Sequence, residues 1–210
     1  MKYRILVRRL LLRKGRYISG TELKELSKGL ELEHKDALAY LFGNKYLKRI
    51  VRGFFYIPSA EERRLNTGSP SHFEAIARAM EYKKVKNWYF GLETAIKLNA
   101  ITHEFFAIDY VVSDTISRAR PFKIFGRKVK FVKLNKKLFG FGIKKDWKFP
   151  YSDLEKTILD LAHLRIYSGK AEKAIIDELI EWAEESDHKK LLAYSKHYSA
   201  RVGKIAEELK

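Results

Sequence analysis

Cysteine is absent from all 210 residues, which excludes disulfides, thiolate metal sites and a cysteine nucleophile. No apolar run approaches the ~18 residues that a membrane-spanning helix needs. The N-terminal stretch "MKYRILVRRLLLRKG" scatters charge among its apolar residues. It therefore lacks the uninterrupted core and small-residue cleavage site of a signal peptide. The expected location is the cytoplasm, with no membrane partner. Nucleotide-binding and hydrolase fingerprints are missing too. There is no Gly-rich loop ending in Lys-Ser/Thr, no dinucleotide motif and no Gly-x-Ser-x-Gly. "HEFFA" at His103 begins like a zinc-protease helix but has no second histidine. The histidines at 34, 72, 103, 163, 188 and 197 show no ligand spacing. "GSPSH" at Gly68 resembles the start of a nucleotidyltransferase motif, but no paired Asp-x-Asp follows. The sequence thus predicts no catalytic residue, no metal site, no cofactor and no enzyme.

What is present is positive charge. The net charge is +17, and 46% of residues are hydrophobic, so this is a folded chain and not a disordered polycation. Residues 1–58 hold 14 Lys/Arg against 5 Asp/Glu, net +9, and residues 115–148 hold 12 against 1, net +11. Residues 59–114 and 151–210 are close to neutral, at −1 and −2. Charge gathered in two blocks is the footprint expected of a polyanion-binding protein, nucleic acid first.

The first block reads as three short helices and a hairpin. Tyr3, Leu6, Val7, Leu10 and Leu11 recur at helical spacing, in a helix ending near Gly15. Ser19 with Glu22 has the spacing of a capping box, so a second helix starts there, buries Leu23 and Leu26 and ends by Gly29. A third helix spans residues 33–42 with Ala37, Leu38 and Leu41 inward. Lys35, Asp36, Ala39 and Tyr40 point away, and His34 lies toward the buried side. Gly43-Asn44 stops it. Strands at 46–51 and 54–57 flank Arg52-Gly53, whose glycine suits the positive φ of a two-residue loop. In that register Ile50 faces Phe55, while Arg49, Val51, Phe54 and Tyr56 face outward. This order is that of a winged helix-turn-helix, whose third helix enters the major groove while the wing touches backbone or minor groove.

"SAEERRLNTGSPSH" is polar, with Gly68 and Pro70, and reads as a linker at 59–71. Beyond it, "HFEAIARAMEYKK" and "GLETAIKLNA" are helical. "FFAIDYVV" reads as a central strand buried on both faces, and "FKIFGRKVKFVKL" as two strands around Gly126. "LFGFGI" suggests another strand. A capped helix follows Ser152, with Glu155-Lys156 as an exposed pair near its start, and the tail from Lys170 holds two amphipathic helices. The expected fold is α+β. A winged helix-turn-helix at 1–58 and a linker at 59–71 precede an α/β domain at 72–210, whose small, mostly antiparallel sheet is flanked by helices.

Four segments carry a family resemblance: "YLKRIVRGFFYIP" (46–58), "WYFGLETAIKLNAIT" (88–102), "YSDLEKTILDLAHL" (151–164) and "LLAYSKHYSARVGKIAEEL" (191–209). In order and spacing the chain resembles the AbiEi family, antitoxins of type IV abortive-infection toxin–antitoxin systems. It departs from the pattern at Lys45, where glycine is usual before Tyr46, and at Asp153, where proline is common. The resemblance implies a transcriptional autorepressor that binds operator DNA and opposes a nucleotidyltransferase-like toxin.

The expected DNA contacts follow. Lys35, Asp36, Ala39 and Tyr40 would meet base edges. Lys24, Lys28, Arg49 and Arg52 would hold phosphates, and Lys128, Lys130, Lys133, Lys136 and Lys137 would extend the footprint. The partner is operator DNA, bound as a homodimer or by cooperating monomers. The competing classes are a protein-interaction module, a stand-alone regulator without a toxin, and a metal-dependent nuclease. For the last, Asp109 lies on a strand, but Glu155-Lys156 has the wrong spacing and sits on a helix.

Overall fold

The computed structural model of the chain describes residues 1–65 and 70–209, so Gly68 of the expected linker lies outside the described residues. Ten α-helices and two sheets occur among them, a mixed α+β architecture. The chain divides into two units, Met1–Lys84 with Ile124–Gly126, and Val85–Lys123 with Arg127–Lys210.

In the first unit, α1 (Lys2–Leu11) buries Leu6 and Leu10 and ends before the expected Gly15. A strand that the periodicity did not reveal follows, β1 (Tyr17–Ser19), too short for an alternating pattern to register. α2 (Gly20–Lys28) starts as its chemistry requires. The Glu22 amide donates to Ser19 Oγ and the Ser19 amide donates to the Glu22 carboxylate, satisfying two orphan helix donors. A tight turn leads to α3 (His34–Gly43): the amides of Leu30 and Leu32 both donate to the Ser27 carbonyl, and Glu31 adopts φ 51°.

β2 (Lys48–Val51) and β3 (Phe54–Tyr56) form the expected hairpin around Arg52-Gly53, with Gly53 at φ 78°. The register differs from the one expected. Arg49, not Ile50, opposes Phe55, because the ladder shifts between Arg49 and Val51 and Ile50 is the extra residue of a bulge. The sheet is antiparallel in the order β1-β3-β2. Phe54 and Tyr56, expected to face outward, are buried. Covering helices explain this. The segment read as a linker contains α4 (Ala60–Leu65), and Tyr56 donates from its hydroxyl to Glu62 of that helix. α5 (His72–Tyr82) packs on β2 and β3, and Phe54 is stacked between Tyr17 and Tyr82, with centroids at 5.7 and 4.6 Å. α5 was expected to open the second domain; it is part of the first unit. The core on the other face is Leu6, Leu10, Ile18, Leu23, Ala37, Leu41, Leu47, Phe55 and Ile57.

The second unit opens with β4 (Trp88–Phe90), a strand missed in the sequence, and α6 (Glu93–Leu98). β5 (Ile108–Ser113) is central as expected but shorter, and Phe105 is exposed. β6 (Phe122–Ile124) and β7 (Arg127–Lys133) flank Gly126. The stretch read as a strand at 138–143 is instead a 3-10 turn (Lys136–Phe139) leading to β8 (Ile143–Lys144). β9 (Tyr151–Ser152) feeds α7 (Leu154–Tyr167). The tail holds three helices, not two: α8 (Glu172–Glu184), α9 (His188–Ser195) and α10 (Ala200–Glu208). The six strands run β6-β7-β5-β4-β9-β8. The sheet is mixed in direction. β5–β7, its long central ladder, and β4–β9 are parallel, while β4–β5 and β8–β9 are antiparallel. Strand direction is set by how the chain crosses between strands, which local alternation does not encode.

α7 is the axis of this unit. Every residue from Leu154 to Ala162 is buried, so its charged residues must be satisfied inside the protein.

Candidate nucleic-acid interface

The basic residues of the first unit lie on elements fixed by the core described above. Lys24 and Lys28 are exposed on α2, because Leu23 and Ser27 take the buried side. On α3, burial of Ala37 and Leu41 leaves Lys35, Asp36 and Ala39 exposed. Lys35, Ala39 and Phe42, spaced by four and three residues, form one stripe along the helix. The Arg49 guanidinium lies 5.3 Å from the centre of the Phe42 ring. The hairpin arginine therefore continues the stripe begun by Lys35, and the cation–π contact holds it there. Phe42 was not singled out in the sequence, and its neighbourhood to Arg49 depends on tertiary packing.

Two expected contacts stand differently. Tyr40 is half-buried, as Phe42 is, but its ring is stacked, with Tyr3 at 4.5 Å and Tyr46 at 6.5 Å between centroids, so it belongs to an aromatic column and not to the stripe. Arg52 is exposed at the hairpin tip, but the tip itself is tethered: the Gly20 amide donates to the Gly53 carbonyl at 2.7 Å. A Cβ at Gly20 would meet Gly53 Cα at 3.4 Å, so the close approach uses both glycines. Tyr17, behind the hairpin, has its hydroxyl pKa pushed up to about 12, chiefly by burial and then by the Glu74 charge.

In the second unit the structure does not gather the five expected lysines into one patch. Along β7, Lys128 and Lys130 share one face and Lys133 alternates to the other. Lys136 and Lys137 are exposed on the 3-10 turn, where Asn135 Oδ1 accepts from the Lys137 amide. Lys130 is half-buried beside Tyr110, its ladder partner on β5.

The pair expected to be exposed at the start of α7 is instead buried: Glu155 is 7% and Lys156 0% exposed. Lys156 Nζ donates to Asp160 Oδ1 at 3.3 Å. The hydroxyls of Tyr198 and Tyr89 each donate to Asp160, at 2.7 Å to Oδ1 and Oδ2. The ammonium also faces the Phe141 and Tyr89 rings at 4.8 and 5.0 Å. Burial, then the Asp160 charge, pushes both tyrosine hydroxyls well above their usual pKa. Burial pushes the Glu155 carboxyl up. Hydrogen bonds from Lys190 and the Asp187 amide outweigh burial and hold it below its ordinary value. A charge pair with all its polar atoms engaged is a structural clasp. Helical periodicity treats lysine as a surface residue, which is why the sequence reading left it outside.

Asp109, the residue on which a nuclease reading would rest, is buried and paired with Arg127 at 3.1 Å. Among the described residues no group of three His, Asp or Glu could hold a metal ion, and no helix is long and apolar enough to cross a membrane.

No family model matches the chain, and no curated protein matches it in sequence. Among solved structures it is similar to the RV2827C protein of Mycobacterium tuberculosis. The TM-score is 0.61 at 10% identity, over 99% of this chain and 75% of that one. At that identity the likeness concerns the fold alone.

Proposed function

We propose that the first unit is a winged helix-turn-helix that binds operator DNA, and that the chain is an autoregulating, antitoxin-like repressor. The observation that carries this reading is the continuous stripe Lys35–Ala39–Phe42 with Arg49 stacked at its end. α3 presents its exposed first turn to base edges, where Lys35 donates to guanine and Asp36 accepts from a cytosine amino group. Lys24, Lys28, Arg49 and Arg52 hold phosphates on either side. The tethered tip makes the wing short and preorganised, so Arg52 is delivered without ordering a loop. Lys128, Lys136 and Lys137 of the second unit supply further, sequence-independent phosphate contacts. The resemblance to abortive-infection antitoxins supports the remainder: repression of its own operon and opposition to a nucleotidyltransferase-like toxin.

The test is a gel shift on DNA upstream of the chain's own gene, with an unrelated fragment as control, across a salt series. Selective binding near physiological salt is expected. Equal, salt-fragile binding to both fragments would reduce the charge to general polyanion affinity. In parallel, Arg49→Glu with Arg52→Glu should abolish operator binding and spare toxin neutralisation.

One observation favours the interaction-module reading. Ile5 and Leu11 of α1 and its C-cap residue Leu12 are exposed, at 37, 41 and 74%, among Arg4, Arg8 and Arg9, apolar side chains of the kind that partners cover. Operator binding lost on Leu12→Glu with the fold intact would tie these side chains to assembly on DNA; a toxin no longer neutralised would tie them to the partner.

A further inference from the structure

The second unit carries a cleft of about 670 Å³ beside the C-terminal half of α7, within the size range of small-molecule sites. Its floor is apolar: Leu92, Tyr110, Val132, Leu134 and Leu164. Its rim is cationic: Arg118, Lys130, Lys133 and Arg165, with no Asp or Glu among the lining residues. Arg165 is already committed, to Glu93 at 3.0 Å and Glu178 at 2.8 Å. Lys130 and Lys133 have no ion-pair partner among the described residues, and Lys130 is half-buried all the same. A half-buried lysine lays its stem along apolar surface and presents its ammonium at the edge, where an anion can meet it.

The rim is held in place. The Arg118 amide donates to the Phe131 carbonyl at 3.0 Å, its guanidinium lies 4.5 Å from the Phe122 ring centre, and Ser113 Oγ accepts from the Ile116 amide at 2.8 Å. The negative end of the α7 dipole would oppose an anion, but its last carbonyls are covered: the amides of Ser168, Gly169 and Lys170 donate to Leu164, Ile166 and Arg165. Tyr167, 88% exposed, stands at the mouth with nothing stacked on it among the described residues. His163, in the wall, has its pKa lowered, first by burial. It is therefore neutral near pH 7, able to donate from one nitrogen and accept at the other.

We propose that this cleft binds a free nucleotide with a short phosphate chain. Its phosphates meet Lys130 and Arg118, and its base lies against the apolar floor and the Tyr167 ring. Point-charge lysines suit phosphate, and an aromatic face accepts any base. The proposal does not rest on operator binding, since it uses residues of the second unit alone.

The test is calorimetric titration of the full chain with ATP, GTP, CTP and UTP, with adenosine, tripolyphosphate and a short oligothymidylate as comparison arms. Saturable one-to-one binding of at least one triphosphate is expected. Adenosine and tripolyphosphate should each bind at least ~10-fold more weakly, about 1.4 kcal/mol. Lys130→Glu should weaken nucleotide binding at least ~10-fold while leaving the urea melt unchanged. Lys24→Glu with Arg49→Glu, which removes DNA contacts of the first unit, should leave nucleotide binding intact. No saturable binding of any nucleotide at millimolar concentration would overturn the proposal. So would unchanged affinity in the Lys130→Glu variant, or tripolyphosphate binding as tightly as the nucleotide. Displacement of the nucleotide by the oligothymidylate at lower concentration would assign the cleft to a strand instead.

Discussion

Replacing Lys156 by methionine tests whether the buried clasp is an electrostatic device. The ammonium is fully buried, and Asp160 is its acidic partner. Methionine approximates the stem, so little cavity results. What remains is a buried carboxylate stripped of its counter-charge. Removing one partner of a buried pair costs ~3–5 kcal/mol. Asp160 keeps the hydroxyls of Tyr89 and Tyr198, which places the loss near the lower end, about 3 kcal/mol. With a urea m-value of about 2 kcal/mol/M, the midpoint should fall by about 1.5 M. Tryptophan fluorescence is the suitable probe, because Trp88, Trp147 and Trp182 all belong to the second unit, so unfolding of the first does not mix into the signal. Adding Asp160→Asn removes the stranded charge while an amide oxygen still accepts from a tyrosine. The double variant should therefore be more stable than Lys156→Met alone. A midpoint shift under ~0.3 M for Lys156→Met, or a double variant that loses the sum of both single effects, would refute the electrostatic account.

Three further outcomes are expected. Gly142→Ala should destabilise the second unit by ~2–5 kcal/mol in the same urea assay: Gly142 sits at φ 62°, and an added Cβ would lie 2.7 Å from Lys156 Cβ. Acidification should weaken the second unit through Glu155. Its folded pKa is below the ordinary 4.5, so the unfolded chain takes up the proton first, and stability present above that value is lost as pH falls through the folded pKa. A melt series from pH 6 down to 3 should show a shallower loss in Glu155→Gln. On DNA, if Lys24, Lys28, Arg49 and Arg52 each neutralise one phosphate, they contribute roughly −3.6 to the slope of log affinity against log salt. Lys24→Gln should reduce its magnitude by about 0.9; an unchanged slope would remove Lys24 from the interface.

The legible parts of the fold were those written in local chemistry. The Ser19–Glu22 box, the two-residue Arg52-Gly53 loop and the strands around Gly126 lie where side-chain spacing puts them. The same signal at Ser59 and Glu62 marks α4, yet it sits in a segment whose composition reads as linker. The Ile50 bulge, the parallel ladder of β5 with β7 and the placement of α5 are tertiary facts with no local mark. For the candidate interface, helical periodicity was sufficient to expose Lys35, Asp36 and Ala39. It could not show that Tyr40 would be drawn into a column with Tyr3, or that Arg49 would rest on Phe42. The cleft was illegible for a different reason, since its rim draws on residues from 118 to 165.

The clasp also orders events in time. It joins Tyr89, Lys156, Asp160 and Tyr198, so it closes only after the chain has been made through Tyr198. The first unit's helices and sheet are complete in sequence by Lys84. At translation rates of about 5–20 residues per second, the roughly hundred residues in between take about 5–20 s, far longer than a small helical domain needs to fold. For that interval the first unit lacks at most its Ile124–Gly126 segment, while the second unit is still unfinished. Proteases and chaperones at the ribosome therefore meet the two halves under different rules.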